Sequence, residues 1–96
     1  MDLYREALDI QTRILGPEHA DVASSLHNMG LIYNHFGDYE QAVRVDKQAL
    51  AIREAIFGPN SEWVAETCNN LSSALCYIGE YKESITYQEQ IGRAHV

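Results

Sequence analysis

Four histidines and two cysteines are the residues of this 96-residue chain best suited to hold a metal or to act as nucleophile and base. Their spacing serves neither purpose. His27 and His35 lie eight positions apart, His19 stands beside a Gly-Pro pair, and no HExxH or CxxC arrangement joins them. Cys68 and Cys76 are also eight apart. Within one helix that spacing separates their Cα atoms by about 12 Å, past the roughly 7 Å reach of a disulfide. Cys68 falls on an apolar stripe and reads as a small hydrophobe, which leaves Cys76 as the thiol expected to be exposed. Fourteen Asp and Glu supply carboxylates in plenty. No pair of them stands out from a solvated acidic background, and no Gly-rich phosphate loop occurs. The expectation is a non-enzyme with no metal and no cofactor.

Charge narrows the classes further. Seven Lys and Arg are scattered among 14 acids, for a net charge of −7, so no clustered positive face is available for nucleic acid. Apolar runs stay far below the roughly 18 residues of a membrane span. The opening Met1-Asp2-Leu3-Tyr4-Arg5-Glu6 lacks the charged and apolar regions of a signal peptide. Together with two thiols that cannot pair, this points to a cytoplasmic setting.

The elements that carry these residues follow from comparing the chain with itself. Shifted by 42 positions, Ala7-Leu8 falls on Ala49-Leu50, Ile10 on Ile52, Gly16-Pro17 on Gly58-Pro59, Val22-Ala23 on Val64-Ala65, Asn28 on Asn70, Gly37 on Gly79 and Tyr39 on Tyr81. Turn formers and apolar residues are what a repeated backbone and core demand, so the chain is an array. Within a period, Val22, Leu26, Met29, Gly30 and Tyr33 form one helical stripe over Ala20–His35, closed by Gly37. Asp38 with Gln41 resembles a capping box and opens a second helix over Tyr39–Phe57. A third, over Ser61–Ile78, repeats the first and ends at Gly79. No alternating strand pattern competes, and the reading is an all-α stack of antiparallel helical hairpins, each burying its apolar face on the next.

The stretch Leu15 to Tyr33 (LGPEHADVASSLHNMGLIY), followed by Gly37-Asp38-Tyr39-Glu40-Gln41-Ala42 and Gln48-Ala49-Leu50-Ala51-Ile52-Arg53, resembles a tetratricopeptide repeat. It is similar to the 42-residue variety of kinesin light chains. The resemblance covers residues 1–90: the end of one repeat at 1–15, a full repeat at 20–57 and most of another at 61–90. It implies a right-handed superhelix, an α-solenoid fragment, whose first helices line a concave groove for a peptide or helix of a protein partner. Departures are Ala20 where Pro is frequent, Glu62-Trp63 for Pro-Asp, and Ser84 at the small-residue site of Ala42.

Beside the stripe, the first helices carry two rows at equal spacing: Ser24, His27, Leu31, Asn34 and His35, then Glu66, Asn69, Ser73, Cys76 and Tyr77. In the family these positions resemble those facing the ligand. The expected function is therefore a protein–protein interaction scaffold; the alternative is a spacer of a longer solenoid with no ligand of its own. Asn28 and Asn70 are expected to bond neighbouring helices from beside the core. Asp46, which stands where the preceding unit has Tyr4, is expected at the stripe's edge in water, given the cost of hiding a carboxylate. Trp63 is expected either as an exposed anchor or packed across the Gly-Pro turn. Residues 91–96, Ile-Gly-Arg-Ala-His-Val, break the repeat pattern and match one reading frame of a widely used sequencing adapter, so they are expected to be a non-native tail. Uncapped apolar ends would leave the fragment marginal or self-associating.

Overall fold

The structure, a computed structural model, describes residues 2–94, with the side chains of residues 2, 4, 93 and 94 left aside. His95 and Val96 of the expected tail, and the Tyr4 side chain that Asp46 was compared with, therefore lie outside what is described. Five helices follow one another: α1 (Asp2–Leu15), α2 (Ala20–His35), α3 (Tyr39–Phe57), α4 (Glu62–Tyr77) and α5 (Tyr81–Ala94). No strand occurs among the described residues.

Each helix is bounded by local chemistry. His19 Nδ1 accepts from the Asp21 amide at 3.0 Å at the start of α2, and Ser61 Oγ accepts from the Val64 amide at 3.2 Å at the start of α4. Asp38 does not cap α3 with its side chain, so the expected capping box is absent. The Asp38 amide instead donates to Tyr33 O at 2.8 Å and the Gly37 amide to Asn34 O at 3.1 Å, closing α2 through a backbone turn that leaves the Asp38 carboxylate in water. Gly16, Gly37, Gly58 and Gly79 all take positive φ, between 80° and 93°, a region that costs a residue with a Cβ about 1 kcal/mol or more. They recur every 21 residues and reverse the chain after each of the first four helices.

Successive helices pack as antiparallel neighbours, and α2 also packs against α4. Thus α2 and α4 form one layer, and α1, α3 and α5 the other. The core has two clusters. Val22, Ala23, Leu26, Met29 and Tyr33 of α2 meet Ala42, Val45, Ala49 and Ile52 of α3, while Leu50 of α3 meets Val64, Cys68, Leu71 and Leu75 of α4. Small residues sit at the closest approaches, Ala23, Ala42 and Ala49 being fully buried. Ser84, the departure from Ala42's position, is equally buried and donates its hydroxyl to Ser72 O at 2.9 Å. Helix α5 continues through Gly92 to Ala94, past the break in the sequence pattern, because Ile91 packs against the second cluster and a single glycine weakens a helix without ending it.

Candidate functional site

The site is built from residues that tie α2 to α4. His27 Nε2 lies 2.9 Å from Glu66 Oε1, and Asn34 Nδ2 donates to Asn70 Oδ1. These two contacts, about two turns apart on α2 and one turn apart on α4, hold the two helices side by side. Beneath them runs Arg53 of α3, 3% exposed. Its Nη1 donates to Thr67 Oγ1 at 2.8 Å and to Trp63 O at 3.2 Å, its Nη2 reaches Ser24 Oγ at 3.5 Å, and Glu66 Oε1 lies 3.7 Å away. The guanidinium stands 5.3 Å from the centre of the Trp63 ring. Trp63 in turn stacks on Phe57 at 5.9 Å across the Gly58-Pro59 turn and is still 50% exposed, so it is packed on one side and open on the other.

Not every predicted groove residue faces outward. His27 is buried, 5% exposed, with Nδ1 lacking a partner. Burial, reinforced by the Arg53 charge, holds its pKa below the ordinary histidine value against the pull of Glu66. Asn34 is half-buried and its Oδ1 also lacks a partner. Ser24, Leu31, His35, Glu66, Asn69, Ser73, Cys76 and Tyr77 are exposed. Leu31 at 48% and Tyr77 at 71% are the large apolar surfaces among them. The Tyr77 ring lies flat on Tyr39 of α3, with centroids 4.5 Å apart and planes 9° apart, which fixes its orientation. Glu66 and Asn69 also line an open cavity of about 400 Å³ with Glu62, Ala65 and Ile91. Cys68 is buried and Cys76 exposed.

Asp46 corrects its expectation. It is 0% exposed, and Asn70 Nδ2 donates to its Oδ1 at 3.0 Å and its Oδ2 at 3.1 Å. Gly30 makes room for it: a Cβ there would overlap Asp46 Oδ1 and stand 2.9 Å from Cγ. Burial pushes the Asp46 carboxyl up to about 7, against the opposing effect of the Asn70 hydrogen bond. Asn70 thus bonds neighbouring helices as expected, whereas Asn28, its counterpart one period earlier, is exposed.

Sequence reasoning missed Arg53 and Tyr39, although the period held a signal for the first. Arg53 and Thr67 occupy the positions of Gln11 and Ser25, and Ser25 Oγ donates to Gln11 Oε1. A polar pair therefore recurs at each junction between a second helix and the next first helix. Among the described residues no group of three or more His, Cys, Asp or Glu is arranged to hold a metal, and no helix is long and apolar enough to cross a membrane.

This architecture, antiparallel hairpins stacked in two layers with a 42-residue period, defines a helical-repeat solenoid. A tetratricopeptide repeat family model matches residues 2–55 and 21–91. The chain belongs to the tetratricopeptide repeat family. Among solved structures 26 chains match. One is the crystal structure of BtubC (BKLC) from P. vanneervenii, with a TM-score of 0.89 and 27% identity over 96% of this chain; the match spans 37% of BtubC. The repeats are of the kinesin-light-chain-like type. No curated protein matches the sequence. Tetratricopeptide repeats are generally protein–protein interaction modules, and their solenoids are typically non-catalytic.

Proposed function

We propose that the chain is a non-enzymatic scaffold segment that receives a peptide or helix of a partner protein on the face shared by α2 and α4. One observation carries the reading: direct contacts between α2 and α4 align two rows, leaving Leu31 and Tyr77 exposed beside the polar Asn69 and Ser73. Such a surface pairs backbone hydrogen-bonding groups with apolar side-chain contacts, as an extended or helical ligand requires. Glu66 is the single formal charge in the rows, so the ligand there is mainly polar and apolar, with only a weak, salt-sensitive preference for basic partners from the net charge of −7. The setting is cytoplasmic, and nucleic acid is no partner.

A peptide-array screen finds a ligand, and two double variants locate it. Asn69→Ala with Tyr77→Ala should abolish binding, while Lys82→Ala with Glu89→Ala on exposed positions of α5 should leave it unchanged, both with wild-type circular dichroism. Loss only in the α5 variant moves the site away from α2 and α4.

The spacer reading rests on a different observation. Leu3, Ile10 and Ile14 of α1 and Tyr81 and Ile85 of α5 are exposed at opposite ends of the stack, as faces for adjoining repeats would be. A screen without ligands, with self-association through these ends, favours it.

A further inference from the structure

The contacts Asn34 to Asn70 to Asp46 form one continuous polar path from the α2–α4 face into the core. Each amide has a direction. Asn70 gives its NH₂ to the Asp46 carboxylate and its Oδ1 to the NH₂ of Asn34, so the path ends on Asn34 Oδ1, a buried acceptor with no partner. An ionised carboxylate only accepts hydrogen bonds, which imposes this direction; a neutral carboxyl carries an O–H that must find an acceptor. Asn70 Oδ1 becomes that acceptor if the Asn70 amide turns over. Its NH₂ then faces Asn34, whose amide turns over in response and ends the path on a donor.

We propose that Asp46 is a positioning residue whose proton reverses this two-amide relay, so that Asn34 ends the path with an acceptor when Asp46 is ionised and with a donor when it is neutral. The relay itself is independent of any ligand. Burial of Asp46 against Gly30 places the change of state near neutral pH, because desolvation raises its carboxyl to about 7. The groups met from the packed elements are Gly30 and Asn34 on α2 and Asn70 on α4, all uncharged. Charged groups of the same elements are engaged elsewhere: Lys47 with Glu83 of α5 at 2.8 Å, Arg53 with Thr67 and Ser24, and His27 with Glu66.

The test is a pH titration from 5 to 9 of the whole chain by NMR, following the side-chain ¹⁵NH₂ resonances of Asn34 and Asn70 and the ¹³C carboxyl resonance of Asp46. All three should move with one shared midpoint. In Asp46→Asn, whose amide supplies a permanent donor in place of the O–H, the Asn34 resonance should stay at the acid limit of the wild type at every pH. His27 is retained in that variant, so loss of the Asn34 movement assigns it to Asp46. Movement of Asn70 with Asn34 stationary would overturn the relay, as would a constant Asp46 carboxyl signal. Both outcomes are read from the wild-type protein alone, and neither touches the groove assignment, which is tested separately by ligand binding.

Discussion

Asp46 changes the pH dependence of stability in a direction opposite to that of most folded carboxylates. Its pKa rises on folding from about 3.8 to about 7, so between those values the folded chain holds a proton that the unfolded chain has lost. Stability from this group is therefore greatest at acid pH and is lost as pH rises from about 4 through about 7, by on the order of 4 kcal/mol in all. His27, whose pKa is lowered on folding, opposes this as pH falls through the ordinary histidine range. Comparing thermal midpoints of wild type and Asp46→Asn from pH 5 to 8 removes the histidine contribution, and the wild type should lose ground steadily. Gly30 offers a second check. Gly30→Ala forces a methyl into Asp46 and should cost about 1–3 kcal/mol; the same change in an Asp46→Ala background should cost much less, so the double variant should cost less than the sum of the two single changes in a double-mutant cycle. The burial of Asp46 was not legible in the sequence. What encloses it are a glycine and an asparagine, 16 residues before it and 24 after it, and neither type announces a carboxylate as its neighbour.

At the level of elements, the boundaries of α2 and α3 were legible to the residue, because apolar periodicity and glycines at each reversal agree. Helix α4 proved one residue shorter at each end than expected, with Ser61 as its cap. The Asp38 capping box failed for a physical reason: the backbone turn at Gly37 and Asp38 already closes the junction. What the pattern concealed was the junction between repeats, where Arg53 is buried on a stripe that otherwise reads as apolar. Arg53→Ala removes charged hydrogen bonds to Thr67 and the Trp63 carbonyl and should cost about 2 kcal/mol or more. Gln11→Ala, at the equivalent junction of α1 with α2, loses one neutral bond and should cost about 1 kcal/mol. Urea denaturation midpoints of the two variants compare the junctions directly. The two rows were legible as spacing on α2 and α4, but not the burial of His27, whose Nε2 lies 2.9 Å from Glu66 Oε1.

For the whole molecule, the stack measures 35 × 29 × 14 Å and leaves apolar side chains exposed on α1 and α5 at its two ends. Ile10 is exposed whereas Ile52, one period later, is buried against α2, since no described helix precedes α1. Nearest-neighbour stacking implies that little more than two repeats give a marginal core. The chain alone should melt in a broad transition within or below the mesophile range of about 45–65 °C, and light scattering should show concentration-dependent association through the ends. The four reversing glycines, spaced 21 residues apart, carry a further consequence, one of parity. Because each helix with its turn fills the same 21 positions, excising 21 residues would keep every boundary in place yet exchange the two layers downstream, setting α4 where an outer helix belongs. Excising 42 would keep both boundary and layer. Length changes in this chain are thus sorted as odd or even multiples of one unit, and only the even ones conserve the face that α2 and α4 share.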